Sequence, residues 1–332
     1  MTATRYAVVA IGNAIVDIIG RCDDDFLARH GAIKGSMRLV DAETMERLYC
    51  DMGPGIEISG GSAANSMVGL SSFGSKAAFI GKVAGDEFGR IFRHDIGAAG
   101  VNFETAPVNG KAPTSRSLIL VTPDGERTMN TYLGISTDLD HGVVDPDLIE
   151  ASEIVYLEGY LFDQPQAKAA FRQAVAIANK AGRKVALTLS DPFCVDRHRT
   201  EFLELIRSGV GILFANESEI TSLYETDQFD EAARRAASDT RLAVLTRSAK
   251  GSVILADGSA HEIPVDPVDQ VVDTTGAGDL YAAGFLHGVA SGATLETSGR
   301  LGSLAAAEII SHIGARPEVN LAELARKRGL IS

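Results

Sequence analysis

The stretch from residue 184 to residue 216 reads KVALTLSDPFCVDRHRTEFLELIRSGVGILFAN and alternates between two kinds of pattern. It opens and closes with short apolar runs, KVALTLS and GILFAN, which have the length of buried strands. Between them, residues near 197–208 have the spacing of an amphipathic helix. A strand, a helix and a second strand in this order form a crossover unit with parallel strands. The stretch therefore predicts a parallel sheet with helices packed against it.

The same alternation continues on both sides of this unit. IVYLEG (154–159) precedes one amphipathic segment, LAVLTRS (242–248) follows another, and YAVVAIG (6–12) has the composition of a further buried strand. We therefore expect an α/β fold, with a central, mostly parallel sheet covered by helices on both faces. The chain has 332 residues and contains no repeat or linker, so a single domain, 1–332, is the simplest organisation.

Two segments differ from this pattern, residues 13–40 and residues 101–134. Both hold alternating apolar and polar residues without helical spacing. The second contains Pro123-Asp124-Gly125 between two such runs, which is typical of a hairpin turn. We expect the two insertions to pair into one small β-sheet that forms a lid on the main domain.

Composition excludes several classes of protein. The formal net charge of −13 disfavours binding to nucleic acid, which needs a basic face. The three cysteines, Cys22, Cys50 and Cys194, are few and widely spaced, which favours a reducing compartment over a disulfide framework. The first residues lack the pattern of a signal peptide, and no run is long enough for a membrane helix. We expect a cytoplasmic protein without membrane or nucleic-acid partners.

The segment DTTGAGD (273–279) carries the most specific chemical signal. Gly276, Ala277 and Gly278 stand directly before an apolar helical pattern, so they occupy the start of a helix. The first N–H groups of a helix have no internal partner and carry partial positive charge, and small side chains let an anion approach them. Asp279 in the first turn could accept the proton of an attacking hydroxyl. The simpler alternative is a capping aspartate on a glycine-rich helix start.

Two better-known phosphate motifs do not fit. GSKAAFIGKV (74–83) has the wrong spacing for a P-loop, and Val83 stands where a hydroxyl residue is required. GAGDLY (276–281) has Tyr281 at the third glycine of the dinucleotide fingerprint and lies near the end of the chain.

Two long segments together resemble a known family. GGSAANSMVGLSSFGSKAAFIGKVAGDEFG (60–89) and DTTGAGDLYAAGFLHG (273–288) resemble the N-terminal and C-terminal signatures of the ribokinase-like (PfkB) carbohydrate kinases. The resemblance covers nearly the whole chain and implies a three-layer domain with a β-sheet lid. It also implies catalysis by Asp279 beside an anion hole formed by residues 276–278. Asp273 and Thr275 match positions associated with a monovalent cation such as K⁺.

The resemblance extends to ATP binding, in a nucleotide-binding half of about residues 190–332. NESE (216–219) resembles the family's NxxE element near magnesium and phosphates, which assigns Asn216 and Glu219. A capping box explains the same two residues equally well. LTRSAKGS (245–252) resembles the TxGxxG element of the nucleotide site and assigns Thr246 and Gly251, although Ser248 replaces the first glycine. Mg²⁺ would be held mainly by the ATP phosphates.

Substrate recognition is expected in the N-terminal half. GNAIVD (12–17) places Asn13 and Asp17 after the first strand, and a carboxylate can accept both hydroxyls of a sugar diol. Further candidates follow the paired glycines: Gly61, Ser62 and Asn65.

Other elements are more similar to the adenosine kinase branch of the family than to ribokinase itself. They include GYLFD (159–163) and LTLSDPF (187–193). Phe193 is a candidate for stacking on a purine, with core packing as the alternative. Weaker aromatic or apolar candidates are Tyr160, Phe162, Tyr132 and Met37.

The expected function is an ATP- and Mg²⁺-dependent kinase that phosphorylates a primary hydroxyl of a ribose-containing substrate, with adenosine at its 5′-hydroxyl preferred. The first alternative is a kinase for a free sugar such as ribose, fructose or a keto-deoxy sugar acid. An alternative of another class is a small-molecule sensor that binds ligands without catalysis. The chain could act as a monomer or a homodimer.

Overall fold

In the computed structural model, the described residues, 4–110 and 112–331, contain fourteen strands in two separate sheets. The strands are β1 (Tyr6–Ile11), β2 (Ile15–Arg21), β3 (Met37–Leu39), β4 (Gly55–Gly60), β5 (Ala77–Ile80), β6 (Val101–Asn102), β7 (Ser115–Val121), β8 (Arg127–Tyr132), β9 (Ser152–Glu158), β10 (Lys184–Thr188), β11 (Ile212–Asn216), β12 (Leu242–Thr246), β13 (Ser252–Ala256) and β14 (Ser259–Ile263).

Helices connect most of these strands. They are α1 (Asp24–Arg29), α2 (Ala42–Asp51), α3 (Ser62–Ser72), α4 (Glu87–Ala98), α5 (Pro146–Glu150), α6 (Pro165–Lys180), α7 (Pro192–Gly209), α8 (Glu217–Tyr224), α9 (Phe229–Asp239), α10 (Ala277–Ala290), α11 (Leu295–Ile309) and α12 (Leu321–Lys327). Within the part of the chain that the structure describes, none of these helices has both the length and the apolar character needed to cross a membrane.

The larger sheet has nine strands in the order β14-β13-β12-β11-β10-β9-β1-β5-β6. Neighbouring strands are parallel from β6 to β12, and the β13–β14 hairpin adds the antiparallel pairs at one edge. Alternate residues of each central strand enter different cores: Val8 and Ala10 pack on the side of α3, α10 and α11, while Val9 and Ile11 pack on the side of α6 to α9. The predicted three-layer α/β fold is confirmed.

The smaller sheet has five strands in the order β3-β8-β7-β2-β4. One of its faces is buried, since Val16, Ile18, Leu118 and Leu120 pack in a cluster that also contains residues of α1 and α2. The other face carries Asp17 and Arg127. We refer to these five strands as the lid sheet.

The lid sheet draws on more of the chain than the sequence indicated. The predicted insertions, 13–40 and 101–134, hold four of its strands, but β4 lies between them. The first insertion also contains α1, whose first turn is capped by Asp23, with the carboxylate accepting from Phe26 N at 2.7 Å. The turn at 123–125 joins β7 to β8 in an antiparallel pair, as predicted.

Candidate active site

The candidate residues gather at the carboxyl ends of the parallel strands. Because these ends share one edge of a parallel sheet, residues far apart in sequence are brought together there. The residues concerned follow or end β1, β9, β11 and β12: Asn13, Glu158, Asn216 and Thr246.

The helix α10 begins at this edge with its N-terminus open. Gly276 caps the helix with a φ of 78°, a left-handed conformation that favours glycine. A side chain at Gly276 would also press on Ala315, whose Cβ lies 2.9 Å from the ideal Cβ position. At Gly278 the same construction meets nothing within 4 Å. The backbone of the first turn is therefore both fixed and accessible, as an anion site at a helix N-terminus requires.

Asp279 in this first turn is held by two donors from α3. The Ser62 hydroxyl donates to Oδ1 at 2.6 Å, and the Asn65 amide donates to Oδ2 at 3.0 Å. Burial raises the pKa of Asp279 above its usual value, and the two hydrogen bonds oppose this rise. Ser62 and Asn65, predicted as substrate ligands, thus contact Asp279. The arrangement gives a carboxylate that is oriented and more basic than an ordinary aspartate.

The turn before α3 explains the paired glycines. Gly61 has a φ of 99°, and a Cβ there would lie 2.2 Å from the carbonyl oxygen of Asn13. Glu158 ties the same elements together, because its carboxylate accepts from Asn13 Nδ2 at 2.6 Å and from Ala63 N at 2.9 Å. Burial raises the pKa of Glu158 to about 7. The buried amide of Asn13 therefore braces the site through Glu158.

Asp17 projects from β2 toward Asp279. Desolvation raises its pKa to about 7, with a further contribution from the negative charge of Asp279, while Arg316 and Arg127 lower it. These mutual effects require the four groups to lie close together. A Cβ at Gly60 would meet Asp17 Oδ2 at 2.2 Å, so glycine on the neighbouring strand leaves room for this carboxylate.

On the nucleotide side, Asn216 and Glu219 form a capping box at the start of α8. Asn216 Oδ1 accepts from Glu219 N at 2.8 Å, and Glu219 Oε2 accepts from Asn216 N at 2.9 Å. Burial raises the pKa of Glu219 to about 7, and the charges of Asp191 and Asp279 add to this effect. The capping explanation is therefore correct, and the capped carboxylate also faces the acidic groups of the site.

The loop between β12 and β13 contains Ser248, which stands where the family's TxGxxG element has a glycine. Ser248 has a φ of 50°, in the left-handed region where a glycine would be free of strain. A non-glycine residue in this conformation costs about 1–2 kcal/mol. Gly251 has a φ of 81°, and a Cβ there would meet Ile263 O at 2.1 Å. Ser248 therefore adopts a glycine-like backbone conformation in this loop.

Asp273 connects the loop that precedes α10 to the lid sheet. Its Oδ1 accepts from the Thr275 hydroxyl at 2.8 Å, its Oδ2 accepts from Gly314 N at 3.0 Å, and Arg127 Nη1 lies 2.5 Å from the same oxygen. Protein donors thus engage both carboxylate oxygens, which does not fit a cation ligated by this side chain. The Nε and Nη2 atoms of Arg127 are buried without a hydrogen-bond partner, so they could bind an anion at this place.

The aromatic candidates separate into exposed and buried residues. Phe193, in the first turn of α7, is 70% exposed, and Tyr160 is 38% exposed. Phe162 is buried and stacks on Phe202 with ring centroids 4.0 Å apart, so it is a core residue. Tyr132 pairs with Arg116 in the register of the lid sheet and packs against the core on the buried face. Phe193 and Tyr160 therefore remain available to a ligand.

Three charged residues of the site were missed in the sequence. Glu158 has a recognisable signal, because it is a carboxylate at the end of an otherwise apolar strand. Arg127 and Arg316 have none, since arginines in a hairpin and in a C-terminal loop are ordinary surface residues by sequence. Their burial beside carboxylates appears only in the folded chain.

Comparisons with known proteins identify the family of this chain. Residues 57–321 match the model of the pfkB family carbohydrate kinases. The structure of a probable sugar kinase from Rhizobium etli CFN 42 is 50% identical, covering 99% of this chain and 100% of that one, with a TM-score of 0.92. The structure of the adenosine kinase from Sinorhizobium meliloti is 53% identical, covering 98% and 100%, with a TM-score of 0.91. An adenosine kinase of Saccharomyces cerevisiae is 26% identical over 330 residues, covering 92% of this chain and 95% of the relative.

Proposed function

Because the chain belongs to the pfkB family of carbohydrate kinases, we propose that it transfers the γ-phosphoryl group of ATP to the 5′-hydroxyl of adenosine. Membership and the named relatives make it a phosphotransferase that acts on an alcohol group. The choice of adenosine over a free sugar rests on the face of the lid sheet that carries Asp17. The names of the Sinorhizobium and yeast relatives support the same choice.

One apolar row runs across all five strands of that face. Residues paired across neighbouring strands point to the same side of a sheet, and the pairings connect Met37, Met129, Ile119, Ile19 and Ile56. The two ends of the row are open to solvent, since Met37 is 50% and Ile56 is 69% exposed. A free sugar has no apolar part that needs such a surface, whereas a purine presents a large flat ring. This row is the observation that carries the proposal.

The neighbouring row on the same face is mostly polar. It consists of Leu39, Thr131, Ser117, Asp17 and Ile58. Ser117 and Thr131 share a hydrogen bond of 2.8 Å, and Asp17 lies at the end of this polar part. A nucleoside has the same order of parts, with an apolar base joined to a ribose diol. We propose that the base lies on the apolar row and that Asp17 accepts hydrogen bonds from the two ribose hydroxyls.

The transfer itself would take place between the lid sheet and α10. Asp279 accepts the proton as the 5′-oxygen of the substrate bonds to the γ-phosphorus, and the bond from that phosphorus to the β-phosphate oxygen breaks. The N–H groups of Gly276 and Gly278 and the two unpartnered donors of Arg127 stabilise the charge on the moving phosphoryl group, while the Ala277 N–H donates to Thr274 O at 3.2 Å. The products are the 5′-phosphate of the nucleoside and ADP.

The proposed cofactor is ATP with Mg²⁺. The buried, unpartnered donors of Arg127 and the open N-terminus of α10 fit polyphosphate. Asn216, Glu219, Thr246 and Gly251 are proposed to line its site. Mg²⁺ neutralises phosphate charge when bound and would be held mainly by ATP oxygens. No step is assigned to K⁺, because Asp273 is already engaged by Arg127 and Gly314.

Formation of ADP with a panel of acceptors tests the proposal. The purified chain would be assayed with ATP, Mg²⁺ and one of adenosine, ribose or fructose, and the phosphorylated product would be identified by mass spectrometry. We expect adenosine to give the highest kcat/KM, with the phosphate on the 5′-oxygen. A response to ribose or fructose alone would contradict the proposal and leave a free-sugar kinase. Thermal stabilisation by adenosine without ADP formation would indicate a sensor.

A further inference from the structure

Three consecutive residues near the C-terminus contact both halves of the proposed site. Gly314 N donates to Asp273, and Ala315 packs against Gly276 at the start of α10. Arg316 extends to the opposite side, toward the turn between β4 and α3. This segment therefore lies between the loop proposed to receive the phosphoryl group and the turn that holds Asp279.

The Arg316 side chain forms hydrogen bonds with backbone atoms on both sides of that turn. Its Nε donates to the carbonyl of Ser59 at 2.8 Å, Nη1 donates to the carbonyl of Ala64 at 3.0 Å, and Nη2 donates to Ser59 Oγ at 2.8 Å. Asp95 on α4 holds the same residue from the other side, accepting from Ser59 N at 2.8 Å and from its hydroxyl at 2.5 Å. The rigid fork of a guanidinium suits this task, since it aims several donors in fixed directions.

Ser59 and Ala64, which Arg316 binds, lie on either side of Ser62. Ser62 donates to Asp279, and Asn65, which directly follows Ala64, also donates to Asp279. A shift of this backbone would therefore move both donors to the proposed base. The Arg316 donors go to carbonyl and hydroxyl oxygens, while the negative charges of Asp17, Asp95 and Asp279 act on the guanidinium through space. Burial lowers the pKa of Arg316 to about 10, so the group stays positive at neutral pH.

We propose that Arg316 is a positioning residue for phosphoryl transfer, which fixes the β4–α3 turn around Asp279 and supplies the positive charge that favours the ionised forms of Asp17 and Asp279. The inference rests on the proposed role of Asp279 as the base, and it holds for whichever acceptor is phosphorylated. It separates two contributions of one side chain, the hydrogen-bonding geometry and the charge, and each has its own readout.

The charge contribution acts among several ionisable groups. Asp17 is influenced by Arg316, Arg127 and Asp279. The groups that share the surroundings of Asp279 also include two carboxyl groups, Glu158 and Glu219, and two phenols whose raised pKa values keep them neutral, Tyr156 and Tyr160. With one cation removed from so acidic a cluster, both aspartates should hold their protons to higher pH.

The test compares two variants. Arg316→Gln removes both the positive charge and the planar set of guanidinium donors, whereas Arg316→Lys keeps the charge and loses that donor geometry. In Arg316→Gln we expect kcat to fall roughly 10- to 100-fold and the acidic limb of the kcat/KM profile to move to higher pH. In Arg316→Lys we expect kcat to fall while the acidic limb stays near that of the unchanged chain. The KM for ATP should change little in both. Arg207→Gln is the matched control, because Arg207 is a half-exposed residue of α7 that forms its ion pair with Asp239 on α9, outside the proposed site.

Melting temperatures show whether each variant is folded. If Arg316→Gln does not fold, Asp95→Asn loosens the same turn without removing the cation, and it should lower kcat without moving the acidic limb to higher pH. A folded Arg316→Gln with unchanged kcat and an unchanged pH profile would overturn the inference. Identical pH profiles for the Gln and Lys variants would overturn its electrostatic part. Adenosine failing as a substrate would count only against the proposed acceptor, since the same variants can be measured with ribose.

Discussion

The two sheets differ in how their faces are covered. Both faces of the nine-stranded sheet are covered by helices, and its central strands are buried on both sides. The lid sheet buries one face against α1 and α2, while its other face carries Asp17, Arg127 and an apolar row with exposed ends. The larger sheet is therefore complete without a ligand, whereas the lid sheet presents groups that a ligand would satisfy.

This contrast has a physical basis. Strands buried on both faces are stabilised by apolar burial together with their ladder hydrogen bonds and need no ligand, so they hold the strand ends in fixed positions. A strand with one open face can place charges and apolar side chains opposite a bound molecule. Substitutions in the two sheets should thus have different effects: those at the rigid edge should abolish chemistry, and those on the open face should change substrate binding.

The largest effect is expected at the rigid edge. Asp279→Asn keeps the shape of the side chain but removes the proton acceptor, so kcat should fall roughly 10²- to 10⁴-fold. Thermal stabilisation by ATP and by the acceptor should persist, because the anion site and the lid sheet are unchanged. ADP release and melting curves measure the two quantities. Full activity of this variant would show that Asp279 is not the base.

The next largest effect is expected where the lid sheet meets α10. Arg127→Gln removes the two buried donors, so we expect kcat to fall about 10²-fold through lost stabilisation of the phosphoryl group. At a pH where Asp17 is ionised, the KM for adenosine should change much less, because the hydrogen-bond partners of Arg127 are Asp273 and Thr275 rather than Asp17. Steady-state kinetics separate the two constants. A change confined to the KM for adenosine would assign Arg127 to acceptor binding instead.

The pH dependence should report the acidic groups near the lid sheet. Since the pKa of Asp17 is raised to about 7, this carboxyl is protonated below that pH and then accepts fewer hydrogen bonds from a diol. The kcat/KM for the acceptor should therefore fall as the pH decreases through about 7 and level off above it. Asp17→Asn should have low activity without this limb. If the limb persists in Asp17→Asn, it belongs to Asp279, whose pKa is raised by burial, or to Glu158 or Glu219, whose pKa values are raised to about 7.

The smallest effect is expected on the open apolar row. Ile56→Ala should raise the KM for adenosine about fivefold, as expected for about 1 kcal/mol of lost apolar contact, and barely change the melting temperature, because Ile56 is largely exposed. Ile33→Ala is the matched control, since Ile33 is 76% exposed and lies outside the row. In the larger sheet, Leu157→Ala should instead lower the free energy of unfolding by about 2–5 kcal/mol and barely change the KM for adenosine, because Leu157 is fully buried. Equal KM values for the Ile33 and Ile56 variants would exclude the row from base binding.

Much of this organisation could be predicted because the signals are local. Apolar runs of strand length and amphipathic spacing predicted the layered fold, and the small residues Gly276, Ala277 and Gly278 predicted the start of α10. The strand β4 could not be assigned to the lid sheet, because GIEISG contains two glycines and becomes a strand only by pairing with β2. The positions of the glycines marked the turns of the site. The reason for each glycine could not be read from the sequence: at Gly61, for example, a side chain would collide with the carbonyl oxygen of Asn13.

The sequence by itself determined the layer architecture, the family and the position of the proposed base. The layers and the start of α10 follow from patterns among neighbouring residues, where periodicity and helix-start chemistry act, and the family follows from the two segments 60–89 and 273–288. Only the tertiary structure decided which charges meet. Asp17, Arg127, Glu158, Asp279 and Arg316 come from five separate parts of the chain. The raised pKa values of the three carboxyl groups and the lowered pKa of Arg316 arise chiefly from burial, which exists only after these parts have packed together.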